Sequence, residues 1–240
     1  YTPGAGIYVD DKKDILYAIG GYYMFSDSLS SLFAFDLNSR ELINRFNIED
    51  PGDHFLNDLV MDKKGNLYLT NTKNSSIYIL SQGSKLLKRF FKSDKIRYPN
   101  GIAISDDNTK LYIASYVHGV LILDIEKKSL INEVDTARYS KGIDGLEFYK
   151  GHLYAIQNGI EESTHNFRKL ILNEAQNKIM GVEVIDSHNP DLDLPLTFCI
   201  EDNQAIVIGN SNLQYLDQVS YTFSETDSAR KTKLLVYDIK

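Results

Sequence analysis

Three side chains with oxygen donors recur at one place in a repeated pattern: Asn57, Asn100 and Asp144. Each opens a short apolar alternation: Asn57-Asp58-Leu59-Val60-Met61-Asp62, Asn100-Gly101-Ile102-Ala103-Ile104-Ser105 and Asp144-Gly145-Leu146-Glu147-Phe148. Amide and carboxylate oxygens suit hard cations such as Ca²⁺ or Mg²⁺. Asn and Asp also end turns, but the same register in three successive repeats points to a shared site. His54, just upstream of Asn57, is a candidate pocket residue or acid–base group. Loop residues Tyr22, Tyr23, Asn71, Asn74, Tyr116, His118, Asn158 and Asn210 add what a small oxygenated ligand needs for stacking and hydrogen bonding.

Other chemistries find no motif. G-x-S-x-G, H-E-x-x-H, the P-loop and G-x-G-x-x-G are absent from the sequence. The histidines at 54, 118, 152, 165 and 188 lack paired zinc spacing. Cys199 is the only cysteine, sits between Phe198 and Ile200, and reads as a small buried hydrophobe.

The elements that must position these residues come from a repeat. A first strand leads through a polar turn to Leu-Tyr in a second strand, at Leu16-Tyr17, Leu67-Tyr68, Leu111-Tyr112 and Leu153-Tyr154. Further first-strand copies open at Ala5 and, in degenerate form, at Thr197. Third strands end at Asp36, Ser81, Asp124, Asn173 and Asp238, and fourth strands are expected over 42–48, 86–91, 130–134 and 179–185. Four strands per unit of roughly 40–45 residues is the arithmetic of a β-propeller blade. The expectation is an all-β chain forming one propeller domain over residues 1–240. Five blades are visible and a sixth, N-terminal blade is expected in the complete protein, a five-bladed ring being the alternative. In such a ring the inner strands meet at the axis, so equivalent positions converge.

Composition fits. The chain has 240 residues, 42 % hydrophobic and 25 % charged, with Tyr and Phe as its aromatics and no Trp. A net charge of −7 speaks against nucleic acid, whose backbone needs clustered Lys and Arg. No apolar run approaches the roughly 18 residues of a membrane span. The opening Tyr1-Thr2-Pro3-Gly4 carries neither initiator Met nor signal peptide, and is read as a processed or truncated start, with a secreted or periplasmic location as the expectation.

Three segments resemble a known family. His54-Phe55-Leu56-Asn57-Asp58 followed by Asp62-Lys63-Lys64-Gly65-Asn66-Leu67-Tyr68-Leu69-Thr70, and Pro99-Asn100-Gly101 through Asp107 with Leu111-Tyr112-Ile113-Ala114, are similar to the senescence marker protein, gluconolactonase and luciferin-regenerating enzyme family, as is Ile143-Asp144-Gly145-Leu146. The resemblance implies a six-bladed propeller with an axial divalent cation, Ca²⁺ before Mg²⁺ or Zn²⁺. It implies Asn100 and Asp144 as metal ligands, Asn57 as a metal or substrate contact, and Asp144 as catalytic base in hydrolysing a lactone, ester or sugar derivative. His54, Asn71, Tyr116 and Asn158 would line the substrate pocket. The family's N-terminal metal-binding Glu is not found at the equivalent register, which holds Gly4-Ala5; either it lies in a missing N-terminal blade or the site is defective. One carboxylate and two amides would hold a cation poorly. A non-catalytic binding or interaction scaffold is therefore the alternative.

Overall fold

In the computed structural model, the described residues are 4–21, 30–136, 139–159, 164–217 and 231–239. Period-two apolar alternation makes strands, and the turns between them decide how the strands pair. Blade 1 comprises β1 (Gly4–Asp10), β2 (Ile15–Gly20), β3 (Ser31–Asp36) and β4 (Leu42–Ile48). Blade 2 comprises β5 (Leu56–Met61), β6 (Leu67–Asn71), β7 (Ser76–Leu80) and β8 (Leu86–Lys92). Blade 3 holds β9 (Pro99–Ile104), β10 (Lys110–Ser115), β11 (Gly119–Asp124) and β12 (Ser129–Leu130). Blade 4 holds β13 (Ile143–Tyr149), β14 (His152–Gln157), β15 (Asn166–Leu172) and β16 (Ile179–Ser187). Blade 5 has β17 (Phe198–Glu201), β18 (Gln204–Ile208) and β19 (Leu234–Asp238).

Within each blade the strands pair antiparallel in chain order. Blades 1 and 2 are also joined at their outer strands, where β4 pairs parallel to β8 through Asn47–Leu86 and Ile48–Leu87. The first turns follow their sequences. Lys150 and Gly151, and likewise Asp202 and Asn203, both take positive φ in two-residue hairpins, the geometry that matches strand twist. In blade 2 the Asp62 carboxylate accepts from the amides of Lys64 and Asn66, both at 2.9 Å, and Gly65 supplies the left-handed residue.

The core lies between blades. Leu111 and Ile113 of β10 pack toward blade 2, while Tyr112 and Ala114 pack toward blade 4. All four are fully buried, so this strand reads as a continuous apolar run. Burying each large apolar side chain contributes roughly 1.5–3 kcal/mol. The inner strands β1, β5, β9, β13 and β17 neighbour one another in that order, which is the radial arrangement expected.

One expected strand is shorter. The strand expected over 130–134 is confined to Ser129 and Leu130, with one further backbone bond from Ile131 N to the Ile122 carbonyl at 2.9 Å. Beyond them the Asn132 side chain takes over the edge of β11: its Oδ1 accepts from Ile122 N at 2.7 Å and its Nδ2 donates to the Val120 carbonyl at 3.0 Å. A side-chain amide thus replaces the backbone ladder. Cys199, expected to be buried, is exposed, because Phe198 takes the packed side of β17.

Candidate functional site

The same bulge recurs at the start of four inner strands. Ala5 and Gly6 oppose the single residue Ile19, Asn57 and Asp58 oppose Thr70, Asn100 and Gly101 oppose Ala114, and Asp144 and Gly145 oppose Ile156. Two residues facing one bend the strand and re-aim its side chains. The bulge falls at the positions singled out by the repeat. It also brings neighbouring inner strands into backbone contact. A Cβ on Gly101 would collide with the Asp144 carbonyl and the Leu146 amide, and one on Gly6 would meet Asp58.

Hydroxyls of Thr70 in β6 and of Thr72 just beyond it stitch the bulges of blades 2 and 3 together. Thr70 Oγ1 accepts from Asp58 N at 3.0 Å and donates to the Asn100 carbonyl at 2.7 Å. Thr72 Oγ1 accepts from Asn57 Nδ2 at 3.1 Å and donates to the Pro99 carbonyl at 2.7 Å. Asp58 Oδ2 accepts from Ile102 N, on the next blade, at 3.0 Å.

Asp144 stands at the centre of the polar set. Its Oδ2 accepts from Asn158 Nδ2 at 2.7 Å, and it is hydrogen-bonded to the Asn100 side chain. Asn158 also donates to the Pro195 carbonyl at 2.8 Å, and its Oδ1 accepts from the Tyr116 hydroxyl at 3.1 Å. Blades 3 and 4 therefore share one chain of bonds, Tyr116 to Asn158 to Asp144 to Asn100. Burial pushes the Asp144 carboxyl up to about 7, the Asp58 charge adds to the rise, and the Asn158 and Asn100 bonds oppose it.

Two further carboxyls share this interior. Burial pushes Asp58 up to about 6 against the bonds from the Ile102 and Leu59 amides. Burial pushes Glu147 up to about 8, and the Asp58 charge raises it further. Glu147 in turn raises the Tyr8 hydroxyl and the Cys199 thiol, for each of which burial is the larger cause. Side chains from blades 1, 2, 4 and 5 thus feel one another across the axis. Asp58, Asp144 and Glu147 keep partial contact with solvent although protein surrounds them on most sides. None of the three is lowered by a cationic neighbour.

The remaining predicted residues divide. Asn100, Asp144, Asn158 and Tyr116 come together; Asn57 sits one inner strand away, tied to Thr72. His54 and Asn71 form a separate buried cluster in blade 2. The Asp50 carbonyl, an acceptor only, lies 3.0 Å from His54 Nε2, which therefore carries the proton; Nδ1 accepts from Asn71 Nδ2 at 2.9 Å and Asn74 Nδ2 at 3.3 Å. Asn71 Oδ1 also receives the Phe55 amide at 3.2 Å, which fixes the entry to β5. His118 Nδ1 bonds the Lys95 carbonyl at 2.8 Å, and Asn210 receives the Lys233 amide at 2.8 Å. Tyr22 and Tyr23 lie outside the described residues. Asp58 and Glu147 were missed as site residues. Their signals were present: Asp58 stands where the copies at Gly6, Gly101 and Gly145 have glycine, and Glu147 interrupts an otherwise apolar alternation.

A cation at the mouth would rest on Asp144 and the amide oxygens of Asn57 and Asn100, a donor set that fits a hard ion held weakly. Among the described residues no three His, Cys, Asp or Glu side chains are grouped to hold an ion.

No family model matches the chain, and no curated protein matches it in sequence. Solved structures do. A hydrazine synthase from Kuenenia stuttgartiensis overlays with a TM-score of 0.65 at 14 % identity, over 99 % of this chain and 63 % of that one. A nidogen/laminin complex overlays at 0.63 and 13 %, over 86 % of this chain and 72 % of that one. A virginiamycin B lyase from Staphylococcus aureus overlays at 0.60 and 12 %, over 85 % and 62 % respectively. The chain thus spans less than two thirds of the length of the first and third. These similarities define the class as a β-propeller. Within that class the structural neighbours include both enzymes and an interaction complex, so the fold is consistent with either role.

Proposed function

We propose that the axial mouth binds a small oxygenated molecule and hydrolyses a lactone or related ester, with Asp144 as the proton acceptor. The observation that carries this reading is the Asp144 carboxyl, pushed up to about 7 and oriented by Asn158 and Asn100. A base whose pKa lies near the working pH combines a useful ionised fraction with proton affinity. Asn158 fixes one carboxylate oxygen, and Tyr116 fixes Asn158. The other oxygen then takes a proton from water as that water attacks the carbonyl carbon. The acyl C–O bond breaks as the tetrahedral intermediate collapses, and the proton passes to the leaving alkoxide. A divalent cation, Ca²⁺ first, would be held by Asn57, Asn100 and Asp144 and would supply carbonyl polarisation when bound.

The test is a lactone and ester panel assayed with added Ca²⁺, Mg²⁺ or Zn²⁺. Turnover that falls on the order of 100-fold or more in Asp144→Asn, with the fold retained, supports the proposal. An acid limb near pH 7 would do the same. No turnover on any substrate sinks it. A second reading, a non-catalytic binding scaffold, is favoured by the hydrogen bonds that already engage Asp144. Ligand binding without turnover, unaffected by chelator, would select it.

A further inference from the structure

Strand β15 places a cation where its counterparts place apolar residues. The residue two beyond each repeat leucine is Ala18, Leu69, Ile113 or Ala155. Across the ladder these meet Phe33, Tyr78, Leu121 and Arg168 respectively. Arg168 follows Leu170 on the face of blade 4 that packs toward blade 3. The apolar seam of Leu153 and Leu170 thus ends in Arg168 and then in the polar pair Gln157–Asn166. Arg168 is only 8 % exposed. Its Nε donates to Asn166 Oδ1 at 2.6 Å and its Nη1 to the Tyr139 carbonyl at 2.7 Å. Asn166 Nδ2 donates to Gln157 Oε1 at 3.1 Å, and Gln157 Nε2 to the Lys141 carbonyl at 2.6 Å. Every one of these partners is neutral. Asp135 acts on Arg168 only through space, and its Oδ2 accepts from the Ser140 amide and hydroxyl. Arg168 Nη2 has no partner among the described residues. The one fully enclosed side-chain polar atom without a partner among those residues is Asn74 Oδ1, so Nη2 reaches solvent. Burial weakens the hold of Arg168 on its own proton, the cost of keeping a cation from water without a counter-charge.

We infer that this end of the seam between blades 3 and 4 is a binding site for a small oxyanion, a carboxylate or phosphate group, received by the open side of the Arg168 guanidinium. The planar fork matches two oxygens at once, and part of the desolvation cost is already met in the fold. Packing does not require the charge, since Phe33, Tyr78 and Leu121 fill the same place with apolar groups. Holding the Tyr139 carbonyl does not require it either, since any neutral N–H donor would serve. The site adjoins the axial mouth without using its residues. Tyr139 and Lys141 offer their carbonyls to it, whereas Gly142 bonds the backbone of Tyr116, Asn158 and Gly159. The inference therefore stands whether or not Asp144 hydrolyses an ester.

Thermal unfolding and calorimetric titration with sodium phosphate and with sodium succinate, at an ionic strength fixed by chloride, test the site. Wild type should bind at least one of the two saturably and gain Tm with it, and the salt that binds more tightly shows which oxyanion the site prefers. Binding should weaken about tenfold or more in Arg168→Lys, which keeps the charge and loses the fork, and should vanish in Arg168→Met. A wild-type Tm that responds to neither salt beyond the chloride control overturns the inference, as does an equal response in wild type and both variants. Should Arg168→Met fail to fold, the Nε–H resonance of Arg168 in the wild type, assigned by its absence in Arg168→Lys, decides the matter. A saturable shift of that resonance supports the site. A resonance unmoved by salt that raises Tm puts the anion elsewhere and overturns it.

Discussion

Asp144 and Glu147 lie on one strand, β13, and face the same interior, yet their surroundings differ. Asp144 sits in the bulge and is held by Asn158 and Asn100. Glu147 lies beyond it, where β13 and β14 pair regularly, and no hydrogen bond stabilises its ionised form among the described residues. Both are raised by burial and by Asp58, and only for Asp144 do hydrogen bonds oppose the rise. The contrast teaches that the bulge converts a costly buried acid into an oriented one. An acid outside it is simply kept neutral at pH 7.

The largest break in this contrast should come from Glu147→Gln. A carboxyl raised to about 8 in the folded state binds its proton more tightly there than in the unfolded chain. Native stability is therefore undiminished below about pH 4.5 and falls as pH rises toward 8. The glutamine, permanently neutral, should make the protein more stable than wild type by about 4 kcal/mol at pH 8 and equally stable at pH 4. Urea denaturation at the two pH values measures this; an unchanged difference between them would show that Glu147 is solvated. Next, Asn158→Ala should cost about 2 kcal/mol, since it strands the Pro195 carbonyl, the Tyr116 hydroxyl and one Asp144 oxygen together. It should also move the Asp144 titration upward, read by NMR of a labelled aspartate carboxyl. Asp58→Asn sharpens the comparison from the other side. It removes a charge that raises both acids, so both titrations should move down by about half a unit or more, with Ile102 N still bonded to the amide oxygen. The smallest effect belongs to Tyr116→Phe, about 1 kcal/mol or less, because Asn158 keeps its two donor bonds.

The blade pattern was legible because each strand's alternation and each Asp, Asn or Gly turn is a local signal. Asn100, Asp144, Asn158 and Tyr116 were found from their place in the repeat, without knowledge of any contact between them. The bulge was not legible, since Asn57-Asp58 and Asn100-Gly101 carry no local mark of two residues opposing one. Asp58 and Glu147 escaped for a related reason. Their character depends on neighbouring inner strands far away in sequence. The outer strand of blade 3 was overestimated because Asn132 gives no sequence sign that its side chain will take the place of backbone. His54 and Asn71, adjacent in sequence terms to the Asn57 motif, turned inward to serve the entry of β5.

The parallel pairing of β4 with β8 has a dynamic consequence. Elsewhere each blade could open as its own cooperative unit, as repeat architectures do. Here the backbone link from Asn47 and Ile48 to Leu86 and Leu87, extended by the Glu49 amide bonded to the Leu87 carbonyl at 3.0 Å, ties two such units at their rims. Amide hydrogens of blades 1 and 2 should therefore exchange with a shared opening free energy, as one double-width foldon, while blade 3 exchanges on its own schedule.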